Sequence, residues 1–304
     1  MSEHIAVGVD AGGSSTVVLA SRGGAPFGSA RGGPANPSSC GVDEAARTIA
    51  AAVRESLRGA DPDALFVGAA GAGRANVARA LEECLRAHLP QTQTLRVQDD
   101  TAIALRAAIP HGPGIVLIAG TGSVAYAENG EHRVRVGGSG YLLGDEGSAF
   151  AIGLAAVKLL ARVFEGRARA DETTEFVQHA LDVPHREALL AAMYDASPLD
   201  VARIAALATG VVALAGDGNR AATKIVQSAA QDLADLVRAA ARQAALAEES
   251  PVIAFAGGLL RENSLLTYIL QTRLQGDLAG ATIVRTDVEP AQAALRFAQA
   301  LQPA

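Results

Sequence analysis

Two short segments of this chain have the residue types to hold an anion. Asp10-Ala11-Gly12-Gly13-Ser14-Ser15 and Ala119-Gly120-Thr121-Gly122-Ser123 each follow a β-branched strand and lead into another. Glycines there can bring several backbone N–H groups to one point, and the hydroxyls add donors, which suits phosphate. Either segment alone reads equally as a tight hairpin turn. Their repetition at the start of two similar runs of elements favours two phosphate sites. Phosphoryl transfer further needs a metal to neutralise charge and a group that takes the acceptor's proton. Asp10 could face a hydrated Mg²⁺ or simply bond its own turn. Asp99 and Asp100 precede a helix, where either could act as its N-cap.

The elements around these residues repeat as well. Strands are expected at Ile5–Val9, Thr16–Ala20 and Phe27–Ala30, then helix Asp43–Leu57, strand Leu65–Ala69, helix Asn76–Leu89, strand Thr94–Val97 and helix Thr101–Ala108. His111-Gly112-Pro113-Gly114 breaks the pattern as a hinge would. Strands restart at Ile115–Ala119, Val124–Glu128 and His132–Val136, with Asn129-Gly130 as a hairpin signal. A long helical stretch from about Ser148 to Leu246 follows, with turns at Asp182–His185, Ala196–Pro198 and Asp217–Asn219. Strand Val252–Ala256, helix Asn263–Leu274, strand Thr282–Arg285 and helix Ala291–Leu301 close the chain. Both halves read βββαβαβα, the second with inserted helices. The expected architecture is α/β, with domains at 1–112 and 113–288 and the last helix, 289–304, packing back on the first. Such a pair would hold its ligand in a cleft.

Composition agrees with two cores. The chain has 304 residues, 49% of them apolar but only 4% aromatic, so helices should pack on sheets through alanine and other small side chains. A net charge of −6 and the lack of a Lys/Arg cluster speak against a nucleic-acid partner. The N-terminus has no signal-peptide pattern, and no apolar run approaches the length of a membrane span, so a cytoplasmic protein without a membrane partner is expected. Cys40 and Cys84 lack metal or redox spacing, and the six histidines are scattered without ligand spacing.

The segment Gly137-Gly138-Ser139-Gly140-Tyr141-Leu142-Leu143-Gly144-Asp145-Glu146-Gly147-Ser148-Ala149 makes the pattern specific. With the two turns, it resembles the N-acetylglucosamine kinase branch of the actin and hexokinase superfamily of ATPases, a branch similar to the BadF/BadG/BcrA/BcrD-type activators of benzoyl-CoA reductase and hydroxyacyl-CoA dehydratase. The resemblance implies two ribonuclease-H-like (actin-like ATPase) domains, ATP with Mg²⁺, an amino-sugar substrate phosphorylated on its 6-hydroxyl, and a homodimer formed through the second domain. It gives ATP to Gly12, Gly13, Ser14, Ser15, Thr121, Gly257 and Gly258, and Mg²⁺, through water, to Asp10. The sugar falls to Asn36, Gly122, Ser123, Gly138, Asp145 and Ala149, with Gly71-Ala72-Gly73-Arg74 at its border. The family's Asn-Asp pair before a helix that soon reads Ala-Leu makes Asp100 the general base and leaves Asp99 at the asparagine position. Ser139 stands where the family often has tryptophan.

Five glycines in the eleven positions Gly137–Gly147 are costly in backbone entropy, and close approach to a ligand is the simplest explanation. Asp145 could alternatively cap the following helix. Asn36 before Pro37 is also an ordinary turn former. Alternative readings are a glucosamine or N-acetylmuramic acid kinase, a dehydratase-activator ATPase, or a non-catalytic sensor of nucleotide and sugar. An activator needs cluster-ligating cysteines in the second half of the chain, whereas both cysteines here are in the first.

Overall fold

The computed structural model describes residues 4–13, 15–195, 200–286 and 288–301. The chain forms two compact units, Met1–His111 with Thr286–Ala304, and Gly112–Arg285. Ser14 and the expected turn at Ala196–Pro198 lie outside the described residues.

The first unit contains β1 (Ile5–Ala11), β2 (Thr16–Arg22), β3 (Ala25–Gly32), α1 (Pro37–Cys40), α2 (Val42–Ser56), β4 (Ala64–Ala69), α3 (Ala75–His88), β5 (Thr94–Asp99) and α4 (Asp100–Ala108), and the returning α11 (Pro290–Ala300). Its sheet has the order β3-β2-β1-β4-β5; β1 pairs antiparallel with β2 but parallel with β4, and β4 parallel with β5. The central strands are apolar without alternation because both faces are covered. Val7, Val9 and Ala11 pack under α2 and α3, while Ala6 and Phe66 pack with Ala293, Ala294 and Ala298 of α11. Gly8 sets the approach of α11: a Cβ there would lie 2.0 Å from the backbone nitrogen of Leu295.

The second unit contains β6 (Gly114–Ala119), β7 (Ser123–Asn129), β8 (His132–Gly137), α5 (Ala149–Phe164), α6 (Glu172–Leu181), α7 (Arg186–Tyr194), α8 (Val201–Gly216), α9 (Arg220–Gln243), β9 (Val252–Ala256), α10 (Leu265–Asp277) and β10 (Thr282–Val284). Its sheet, β10-β9-β6-β7-β8, repeats the first topology strand for strand. The alanine-rich stripe of α9, from Ala222 through Val226, Ala230 and Leu233 to Ala241, is buried in the same core as β6 and β7. Among the described residues no single helix is long and apolar enough to cross a membrane.

Two local readings change. The long helical stretch has an additional break between α5 and α6, where Gly166 has a φ of +72° and Asp171 starts α6 with a capping box. The segment after Asn36 is a short helix, α1, entered through Pro37 at its first turn. Arg238 of α9 pairs with Asp277 and so ties α9 to α10.

Candidate active site

In the first unit the candidate residues gather at the carboxyl ends of the parallel strands, where open α/β sheets bind ligands. Pairing aligns Ala11 with Ala69 and Ala69 with Asp99, so the chain ends leaving β1, β4 and β5 lie side by side. Asp10 is within β1, opposite Val17 and Gly68, and is therefore not a turn residue bonded to its own backbone. It stands about 10 Å, two strand spacings, from β5. Asp10, Val17 and Arg31 occupy one row across three strands, hence one face of the sheet. On that face Glu289, the N-cap residue of α11, pairs with Arg31 at 3.0 Å. Burial, with a smaller contribution from Glu289, pushes the Asp10 carboxyl up to about 6. A carboxylate so placed is short of positive charge, which fits a cation-binding role.

The two adjacent aspartates divide their tasks. Asp99 is the N-cap of α4: its Oδ1 accepts from the Thr101 N–H at 3.0 Å and also from the Thr101 hydroxyl. Asp100 is the first residue of the helix and is half-buried at the same end of the sheet. Capping is thus the task of Asp99 and not of Asp100. Asn36 caps α1, its Oδ1 accepting from Ser38 N at 2.8 Å. Gly71, with φ +80°, packs on this cap; a Cβ there would lie 2.2 Å from Asn36 Oδ1. The Gly71–Arg74 loop therefore fixes the Asn36 side chain.

The two glycine turns share a feature. Gly12 N bonds Ser15 O at 2.8 Å, and Gly120 N bonds Gly122 O at 2.9 Å, which closes each turn. The N–H groups of Gly13, Thr121 and Gly122 take part in no hydrogen bond among the described residues. Backbone donors left without partners at such turns form an anion cradle. Gly13, Gly120 and Gly258 have no left-handed φ, and a Cβ added to any of them would meet no atom within 4 Å, so the fold itself does not demand glycine there. Gly257 differs: its φ is +91°, and a Cβ would meet Ala119 O at 2.3 Å. Gly13→Ala and Gly258→Ala should therefore keep wild-type stability or gain up to about 1 kcal/mol. Gly257→Ala should lose at least about 2 kcal/mol through the left-handed backbone and the clash. Urea melts of the three variants check this, and equal losses would refute it.

In the second unit Ser123 organises the site. It is 3% exposed; its N–H donates to Asp145 Oδ1 at 3.2 Å, its hydroxyl to Glu146 O at 2.7 Å, and its carbonyl accepts from Gly138 N at 2.8 Å. This corrects the expectation of a ligand-contacting Ser123 hydroxyl, because that group is buried and already engaged. Asp145 has a left-handed φ of +58° and its carboxyl lies against Gly122, whose Cβ would be 2.9 Å from both oxygens. Burial raises the Asp145 carboxyl above the usual range; the Ser123 N–H opposes this, Glu146 adds to it, and Arg135 opposes it. Asp145 does not cap α5. That position belongs to Ser148, whose Oγ accepts from Ala151 N, while the Ala149 N–H bonds Gly120 O at 2.9 Å.

The glycines of the Gly137–Gly147 loop have a different explanation from the one expected. Gly137, Gly138, Gly140 and Gly147 all have left-handed φ values, between +65° and +81°, so backbone conformation already requires them. Composition could not reveal that Glu289, remote from the glycine turns in sequence, pairs with Arg31 on the Asp10 face of the sheet. Pro290 directly after Glu289 was the available signal of a helix start.

Comparison with known proteins adds an independent line. The model of the BadF/BadG/BcrA/BcrD ATPase family matches residues 7–298. The chain is 29% identical over 240 residues to the N-acetylmuramic acid/N-acetylglucosamine kinase of Clostridium acetobutylicum, covering 77% of this chain and 78% of that protein. It is 24% identical over 314 residues to the N-acetyl-D-glucosamine kinase of Dictyostelium discoideum, covering 98% of each. A crystal structure from Chromobacterium violaceum, of a protein provisionally assigned as an N-acetylglucosamine kinase, has a TM-score of 0.78 at 24% identity and covers 98% of this chain and 100% of that one. At that identity the structural likeness speaks for the fold.

Proposed function

Because this chain belongs to the BadF/BadG/BcrA/BcrD ATPase family, we propose that it is a kinase transferring the γ-phosphate of ATP to the 6-hydroxyl of N-acetylglucosamine or a closely related amino sugar. The observation that carries this reading is the pair of equivalent hairpin turns with backbone donors left without partners among the described residues. Kinase chemistry is further supported by the names of two relatives that cover most of the chain.

Asp100 is the proposed general base, taking the proton of the sugar hydroxyl as its oxygen attacks the γ-phosphorus and the bond to the leaving ADP oxygen breaks. Asn36, Gly138, Asp145 and Ala149 are assigned to the sugar. The Asn36 cap leaves its amide hydrogens to donate, while Asp145 accepts from ring hydroxyls. Gly122 seats Asp145, and Ser123 acts by holding it. The nucleotide is assigned to Gly12, Gly13, Ser14 and Ser15 in the first unit and to Thr121, Gly257 and Gly258 in the second. Asp10 would hold Mg²⁺ through water, and the ion would supply charge neutralisation on the phosphates. Holding Asp10 in a strand rather than a loop keeps its carboxylate in one place.

ADP release over glucose, glucosamine, N-acetylglucosamine, N-acetylmannosamine and N-acetylmuramic acid tests the reading. A kcat/KM at least tenfold higher for one acetylated amino sugar than for glucose is expected; turnover with none of them would overturn it. The two-sugar name of the Clostridium relative makes N-acetylmuramic acid the alternative substrate to compare.

Cys40 offers a local reporter. Its exposed thiol is 3.2 Å from the Asn36 carbonyl, whereas Cys84 is partly covered and burial, with Asp43, pushes its thiol above the ordinary range. Saturating sugar should slow alkylation of Cys40 severalfold, as read by mass spectrometry of labelled peptides. An unchanged Cys40 rate would remove Asn36 from the sugar site.

A further inference from the structure

A cavity of about 280 Å³ lies in the second unit between the first turns of α5 and one face of α9, and Gly147 forms part of its wall. Lys224, Ser228 and Asp232 recur every four residues along α9, so they line the same side of the cavity. None of the three side chains forms a hydrogen bond or ion pair with another described residue. Facing them are Ala151, Ile152 and Ala155, which give the cavity a small, apolar back wall.

The electrostatics run from one end to the other. Lys224 lies in the second turn of α9, where the partial positive charge of the helix start adds to its own. Asp232 is half-buried at the opposite end, and burial together with Glu146 raises its carboxyl above the usual range. The two charged residues are about 12 Å apart along the helix axis. The reach of the lysine side chain shortens that gap to the span of an amino acid or dipeptide.

We propose that this cavity binds a small zwitterion, an α-amino acid or dipeptide, with its ammonium on Asp232, its carboxylate on Lys224 and any intervening amide near the Ser228 hydroxyl. A plain cation would meet Lys224 and a plain anion would meet Asp232, so each charge alone is disfavoured. The ligand could be free in solution or be the peptide portion of a larger amino-sugar conjugate. The site stands apart from the kinase reading, since its occupancy is measured directly.

Isothermal titration of the whole protein with alanyl-alanine, N-acetyl-alanyl-alanine and alanyl-alanine amide tests the proposal. The free dipeptide should bind at least tenfold more tightly than either blocked form. Asp232→Asn should abolish discrimination against the N-acetylated form, and Lys224→Met discrimination against the amide. A peptide-bearing amino sugar that binds at least tenfold more tightly than alanyl-alanine would identify the conjugate as the source, and equal affinity the free peptide. Absence of heat with alanyl-alanine up to about 10 mM, equal binding of all three peptides, or variants indistinguishable from wild type in titration and melting would overturn it.

Discussion

Asp100→Asn is expected to lower kcat for sugar phosphorylation by about a thousandfold, while the Kd for ATP stays within about twofold of wild type. General-base assistance contributes on the order of 10² to 10⁴ in rate, and an amide of the same shape cannot accept the proton. The neighbouring residue provides the control, because Asp99 caps α4 through Thr101. Asp99→Asn keeps a good cap and should leave stability unchanged, whereas Asp99→Ala should cost about 1 kcal/mol. Neither should approach the kinetic loss at position 100. If Asp100→Asn retained turnover and Asp99→Asn lost it, the base would be Asp99.

Asp10→Asn should separate stability from activity. The folded protein holds the Asp10 proton more tightly than an exposed carboxyl would, with a value near 6 against an ordinary 3.8. That contribution to stability is fully present below the unfolded value and is lost as pH rises through about 6. Above pH 6 the folded protein therefore carries a largely buried, ionised Asp10. Replacing it with Asn in metal-free buffer at pH 7.5 should stabilise the protein by up to about 3 kcal/mol, and the advantage should vanish below about pH 4. The same variant should lose at least a hundredfold in kcat/KM, because the proposed metal anchor is gone. Urea melts at the two pH values with parallel turnover assays measure both effects. A destabilised Asp10→Asn at pH 7.5 would show that the carboxylate is satisfied by the fold itself.

Much of this architecture is legible in the sequence, because β-branched runs such as Ile115–Ala119 end at glycine turns and recur in the same order. The two hairpin turns and the Gly137–Gly147 loop are legible for the same reason. What composition misses depends on geometry. Asp99 and Asp100 are chemically alike, and only the direction in which α4 starts makes the first of them the cap. Glycine-rich sequence does not say whether the missing side chain serves a left-handed φ, as at Gly140, or leaves open space, as at Gly258. The hydroxyl of Ser123 reads as a ligand donor until Glu146 is found accepting from it. Glu289 joins the row of Asp10 and Arg31 only because α11 returns to the first sheet.

The most direct measurement of the central claim is phosphorus–proton correlation NMR on the products of ATP, Mg²⁺ and N-acetylglucosamine incubated with the wild-type protein and with Asp100→Asn. A phosphomonoester coupled to the two protons on carbon 6, formed by the wild type and missing with the variant, is the predicted result. Inorganic phosphate as the sole new signal, or phosphate on another sugar oxygen, would contradict it.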